Sequence, residues 1–169
     1  MDNQELSQKL VDQTLQLLTR MNIAGTVECR CDDEKERKIA AVVIKTQDSA
    51  LLIGQKGANL SALQYIVQKI AQKAVGDGVF VSLDVNDYKA RRQQELVGMA
   101  KRAASDVERG RRTITLRPMS AAERRIIHMT LADLKTVKTE SIGREPNRRV
   151  IIRPAQEPTV DEFSSQISL

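Results

Sequence analysis

From its first residue onward, the chain alternates between apolar positions spaced near 3.6 residues and apolar positions spaced by two. Leu6, Leu10, Leu17, Leu18 and Met21 fall at helical spacing within residues 4 to 21, and Gly25 is the expected stop. Thr26 to Cys31 and Ile39 to Lys45 then read as two strands, with the charged run from Asp32 to Arg37 as a solvated hairpin loop. Asp48 or Ser49 can cap a short helical turn through Ile53. Gly54-Gln55-Lys56-Gly57 interrupts that turn before a longer helix starts near Asn59. Leu60, Leu63, Val67, Ile70 and Ala74 mark the inner face of this helix. Gly76-Asp77-Gly78 breaks it, and Val79, Val81, Leu83 and Val85 alternate as a strand. Residues 1 to 85 thus predict the order helix, strand, strand, helix, helix, strand.

A long basic helix is expected from Asn86 to Glu108, with Leu96, Ala100, Ala103 and Val107 on one face and Gly110 ending it. It joins the two predicted domains or opens the second. Thr113 to Arg117 reads as a strand, and Ser120-Ala121-Ala122-Glu123 is a capping box for another helix. Ile127, Leu131 and Leu134 form the buried stripe of that helix. Val137 to Ile142 and Arg149 to Arg153 predict a closing hairpin around Gly143-Arg144-Glu145-Pro146-Asn147. From Pro154 onward the chain is polar and aperiodic, and residues 154 to 169 are expected to be a disordered tail. The fold class is therefore α+β with two small domains, residues 1 to 85 and 86 to 153.

Composition adds two constraints. Aromatics make up 2% of the chain and Trp is absent, so aliphatic side chains must fill the cores and there is no row of rings for successive bases to stack on. Residues 1 to 85 hold ten basic and eleven acidic residues, a net of −1, whereas residues 86 to 169 hold seventeen and eleven, a net of +6. The basic surface belongs to the second half, either as a site for an anionic partner or as ordinary solvated helix faces. No apolar run approaches the roughly 18 residues of a membrane span, and the chain is expected to be cytoplasmic, without membrane insertion. Cys29 and Cys31 share one strand face. With a single distant His they make a poor zinc set, so no metal and no cofactor are expected.

Two glycines three apart, set between helices, let a backbone approach closely, and the following helix N-terminus adds N–H donors. Lys56 brings a cation to the same place. This chemistry suits a sugar-phosphate chain. Taken with Leu52-Ile53 before it, Leu60 and Leu63 after it and the element order around it, the segment resembles a KH domain of the prokaryotic type over residues 4 to 85. The resemblance implies that Gly54 and Gly57 allow close approach to RNA and that Gln55 and Lys56 contact phosphates. It also implies that Ile53 and Leu60 wall a groove for splayed bases.

Arg124 and His128 lie four apart on the capped helix, at the edge of its apolar stripe, where a cation and an imidazole could meet a phosphate together. A nearby carbonyl would satisfy such a histidine equally well. The run Glu123-Arg124-Arg125-Ile126-Ile127-His128 is followed by Thr139-x-Ser141-x-Gly143-x-Glu145-Pro146-x-Arg148-x-Val150-x-Ile152. Together they resemble the R-three-H domain of the bacterial Jag family, also called SpoIIIJ-associated proteins. Those proteins join the same kind of KH domain to this domain in the same order. The resemblance implies a small three-stranded sheet with helices, and binding of single-stranded RNA, or single-stranded DNA, through Arg124 and His128. It also implies a link to cell envelope and cell-shape control, through a small KH-domain partner in some members. Many members carry a further N-terminal domain and linker before the KH part that this sequence does not show, so the resemblance does not decide functions tied to those segments.

The reading that follows is a non-catalytic RNA binder with two linked sites, whose joint affinity exceeds that of either alone. Arg125 and the helix residues Arg91 and Arg92 are expected to extend the electrostatic track, and alanine at Arg124 and His128 to leave the fold close to intact. A protein adaptor that binds nucleic acid secondarily is the alternative. A ribonuclease would need a nucleophile, an acid–base pair or a metal cluster, and one His without a partner does not provide these.

Overall fold

The computed structural model describes residues 1–34 and 37–156 and divides into two compact units, Met1–Lys89 and the residues from Ala90 onward. The first unit contains α1 (Asn3–Arg20), β1 (Gly25–Glu34), β2 (Arg37–Thr46), α2 (Ser49–Ile53), α3 (Ala58–Val75) and β3 (Val79–Val85). β1 runs antiparallel to β2, and β2 runs parallel to β3. Parallel neighbours need a crossover, and α2 with α3 supplies it. Ala40, Val42 and Ile44 in β2 and Val79, Val81, Leu83 and Val85 in β3 face one core, which Leu6, Leu10, Leu18, Leu52, Leu63 and Val67 complete from the helices. Each fully buried leucine contributes roughly 2 kcal/mol relative to exposure.

Several boundaries differ from expectation for local physical reasons. α1 ends at Arg20, close to its expected end, but Gly25 is not what stops it. Asn22 takes φ +56, Ile23 N–H reaches back to Leu18 O at 2.9 Å, and Met21 is 51% exposed. Gly25 instead opens β1, where a Cβ would meet Lys45 O at 2.7 Å. The charged run is not all loop, since Asp32 to Glu34 continue β1 and Arg37 begins β2; Lys35 and Glu36 lie outside the described residues. The helix expected from Asn86 starts at Tyr88, because Asn86 and Asp87 take φ +48 and +59. The Asn86 side chain accepts from Thr46 N and donates to Thr46 O, which fastens the end of β3 to the end of β2.

The second unit contains most of α4 (Tyr88–Gly110), then β4 (Ile114–Thr115), α5 (Ala121–Leu131), β5 (Val137–Ile142) and β6 (Arg149–Pro154). Its sheet has the order β4-β6-β5, antiparallel throughout. Leu96, Ala100, Ala103, Ala104 and Val107 from α4 pack with Ile127, Leu131, Val137, Val150 and Ile152. β4 is shorter than the segment from Thr113 to Arg117, although Leu116 N–H still donates to Val150 O at 2.9 Å. Leu134 is not part of the stripe, since α5 ends at Leu131 and Leu134 is 41% exposed. α4 runs through Gly110, and Arg111 takes the left-handed turn at φ +46. Pro154 is the last residue of β6, and Ala155 N–H donates to Thr136 O, so the segment expected as a tail begins in structure; residues 157–169 lie outside the described residues. The architecture is α+β in two small domains. Among the described residues no helix is long and apolar enough to cross a membrane.

Candidate nucleic-acid interface

Between α2 and α3 the chain makes one tight 3-10 turn, Gln55–Gly57. Gly54 has φ +66 and ψ −174, Lys56 φ +54 and ψ +31, and Gly57 φ +80 and ψ +16. Only glycine adopts the first of these without strain. Gln55 and Lys56 are exposed at the tip, while Gly57 is buried. α3 begins without a side-chain cap, which leaves backbone N–H donors in its first turn beside these two side chains.

The space at the two glycines is used from within the protein. A Cβ on Gly54 would meet Asn59 Cγ at 2.5 Å, and a Cβ on Gly57 would meet the Tyr88 ring at 3.2 Å. Asn59 Nδ2 in turn donates to Leu51 O at 2.8 Å, which ties α3 back to α2. On their Cβ sides the glycines therefore admit Asn59 and Tyr88. Ile53 is half-buried against the core. Leu60 is 5% exposed and belongs to the core, so it offers a base almost no surface, which corrects its expected place in a groove wall.

In the second unit Ser120 and Glu123 form the predicted capping box of α5: Ser120 N–H donates to Glu123 Oε2 at 3.0 Å, and Glu123 N–H donates to Ser120 Oγ. Glu123 is also held by Arg92, whose Nε donates to Glu123 Oε1 at 2.8 Å while its Nη1 donates to Glu95 at 3.1 Å. Arg92 thus fastens α4 to the cap of α5. Its expected role on an open electrostatic track is corrected by this pairing. Arg91 and Arg125 are exposed.

Arg124 is buried, not half out as its place at the edge of the stripe suggested. Its side chain is 9% exposed; Nη2 donates to Glu145 Oε1 at 2.6 Å and Nε donates to Met119 O at 3.4 Å. His128 is half-buried, with Nδ1 2.7 Å from Thr139 Oγ1 and Nε2 2.9 Å from Ser141 Oγ. Burial lowers its pKa from the ordinary 6.5, and the Arg124 guanidinium adds to the effect. Both effects favour the neutral imidazole. Thr139, Ser141 and Glu145, prominent in the sequence only as spaced motif letters, are the partners of the Arg-His pair. Their signal was periodicity, because Thr139 and Ser141 are two apart on β5 and so face the same side. The expected indifference of the fold to alanine at Arg124 does not fit this burial.

Cys29 and Cys31 are free thiols on one face of β1, with Sγ atoms 3.8 Å apart. Burial pushes both pKa values up, that of Cys31 to about 12, so neither offers a thiolate at neutral pH. Among the described residues no group of three or more His, Cys, Asp or Glu is placed to hold a metal ion.

Two family models match the chain in sequence. That of the KhpA/KhpB KH domain covers residues 8–83, and that of the R-three-H domain covers residues 94–154. Among curated proteins, the RNA-binding protein KhpB of Clostridium symbiosum is 38% identical over 148 residues, 87% of this chain and 65% of the relative. The RNA-binding protein KhpB of Bacillus subtilis is 33% identical over 132 residues, 77% of this chain and 62% of the relative. That of Streptococcus pneumoniae is 32% identical over 126 residues, 75% of this chain and 38% of the relative. The chain spans less than two thirds of the length of these relatives. With a KH unit holding the Gly54–Gly57 turn and an R-three-H unit holding the Arg124–His128 pair, joined in that order, the chain belongs to the KhpB, or Jag, family.

Proposed function

We propose that this chain binds single-stranded RNA without cleaving it, gripping the sugar-phosphate backbone at the Gln55–Lys56 turn. The observation that carries this reading is the turn itself: two exposed polar side chains held between positive-φ glycines, beside the uncapped first turn of an 18-residue helix. Backbone N–H groups, the helix dipole and an ammonium then converge on one anion. The relatives' shared description as RNA-binding proteins supports the same ligand.

A second contact falls to the R-three-H unit. Arg125, exposed on α5, meets phosphate directly, while Arg124 and His128 act by holding α5 against β5 and the β5–β6 connection. Two weak contacts on one chain raise the effective concentration of each other. Arg91 extends the track. We further propose, from the resemblance to the family, a cytoplasmic post-transcriptional regulator linked to the cell envelope and cell shape, with a small KH-domain protein as partner. The test is crosslinking in cells followed by sequencing of bound RNA, with purified protein incubated alongside on labelled RNA. Recovered, intact RNA is expected; recovery of a protein partner with almost no RNA would favour an adaptor.

A further inference from the structure

β3 is an edge strand whose open backbone groups are met by amide side chains of α3: Gln68 Nε2 donates to Val79 O at 2.8 Å, and Leu83 N–H donates to Gln64 Oε1 at 3.2 Å. At the end of this row lies the amine of Lys89, the second residue of α4. Its Nζ donates to the same Gln64 oxygen at 2.9 Å and to Ser82 Oγ at 3.2 Å. Both acceptors are neutral. Lys38 and Lys45 are held differently, by the carboxylates of Asp33 at 3.1 Å and Asp87 at 2.6 Å. The carboxylate nearest in charge to Lys89 is that of Asp84, whose Oδ1 is committed to backbone: it accepts from Val85 N–H at 2.8 Å and from Lys89 N–H at 3.2 Å, and so caps the start of α4.

This setting does two things to the amine. Gln64 and Ser82 take two of the three directions around Nζ, so in the neutral form the lone pair occupies the third. The residue is exposed, which lets a small reagent reach it. The ammonium form is also disfavoured, because part of its hydration is lost against β3 and α3 and because it sits at the positive end of the α4 dipole. Burial accordingly lowers the Lys89 pKa from the ordinary 10.5, against a smaller opposing pull from Asp84. A lysine amine freed of its proton in this way is the nucleophilic form.

We infer that the ε-amine of Lys89 is an acylation site, whose donor is a small acyl phosphate such as acetyl phosphate. The helix end that disfavours the ammonium favours the phosphate of the donor. The nitrogen lone pair attacks the acyl carbon and the C–N bond forms. The C–O bond to the phosphate breaks with its electron pair, inorganic phosphate leaves, and the surplus proton on nitrogen passes to water. The amide product is uncharged, so the modification removes one cation from the start of the basic helix and leaves one N–H for two acceptors.

The test incubates the intact chain with acetyl phosphate at mildly alkaline pH, to low total modification, in buffer and in denaturing urea. Peptide mass spectrometry reads acetylation at each lysine. In the folded protein Lys89 should be modified several-fold faster than Lys9 and Lys101, which are both exposed, and in urea at the same rate as these two. Asp84→Asn keeps an acceptor for the start of α4 and removes the neighbouring negative charge, so it should raise the Lys89 rate further, with thermal unfolding run beside it. Modification of Lys89 no faster than of Lys9 and Lys101 in the folded protein, or a lead that persists in urea, overturns the site. So does an Asp84→Asn protein that melts like wild type and reacts no faster; if that variant unfolds, the wild-type comparison decides alone.

Discussion

Arg124 Nη2 on α5 donates to Glu145 Oε1 in the β5–β6 connection across 2.6 Å, with the arginine side chain 9% exposed and the glutamate 59% exposed. The arginine is thus an internal clasp between a helix and a loop 21 residues further on. Arg124→Ala removes this bond and the one to Met119 O, and is expected to cost about 1.5–3 kcal/mol, the range for hydrogen bonds to charged groups. Urea unfolding measures it. A loss below about 0.5 kcal/mol would mean that the clasp does not hold the unit together.

Arg125 is expected to behave in the opposite way. It is exposed, so Arg125→Ala should leave the unfolding midpoint within error and weaken RNA binding several-fold, with a shallower salt dependence. Parallel affinity and unfolding measurements on the Arg124 and Arg125 variants separate the clasp from the contact. An Arg125 variant that binds RNA like wild type would remove the second unit's direct role.

The pH dependence follows from His128. Its folded pKa lies below the unfolded value of 6.5, so the proton binds the unfolded chain more tightly. The stability that its neutral ring contributes is complete above pH 6.5 and is lost as pH falls through the folded value. His128→Gln should flatten this part of the stability curve between pH 7.5 and roughly pH 5. Thermal unfolding across that window checks it, and equal slopes in both proteins would contradict the assignment.

Gly54 and Gly76 have nearly the same backbone, φ +66 and ψ −174 against φ +86 and ψ −172, but different surroundings. A Cβ on Gly76 meets nothing within 4 Å, whereas one on Gly54 collides with Asn59. Alanine at either should cost about 1–3 kcal/mol of backbone strain. Gly54→Ala should cost about 1 kcal/mol more, for displacing Asn59 from Leu51 O. Adding Asn59→Ala to both should erase the difference, as chemical unfolding would show.

How much of this was legible in the sequence depended on whether the cause was local. The alternation of Val79, Val81, Leu83 and Val85 gave β3 its bounds, and the Ser120–Glu123 spacing gave the α5 cap, since periodicity and capping are decided within a few residues. The end of α1 near Met21 was legible, but its stop was not, because Asn22 and not Gly25 takes the left-handed conformation. The site was legible as a set of letters and not as a set of contacts. Nothing at positions 54 or 57 announces Asn59 or Tyr88 as the occupants of their space, and nothing around Arg124 announces Glu145, because those neighbours arise from packing across elements. The glutamines along β3 were invisible for the same reason.

The turn between Gly54 and Gly57 carries the functional reading, and a salt titration of RNA affinity addresses it most directly. Gln55→Asp with Lys56→Asp keeps both glycines. At Lys56, where φ is +54, an aspartate is better tolerated than most side chains, so the variant should melt like wild type. If roughly 4 to 6 phosphates are neutralised in the complex, log K for wild type falls against log salt with a slope of about −3 to −4. The double-aspartate variant should bind at least about tenfold more weakly, with a shallower slope, because two carboxylates replace an ammonium and an amide beside the phosphate. A flat salt response in wild type, or wild-type affinity in a folded double-aspartate protein, would contradict the phosphate clamp.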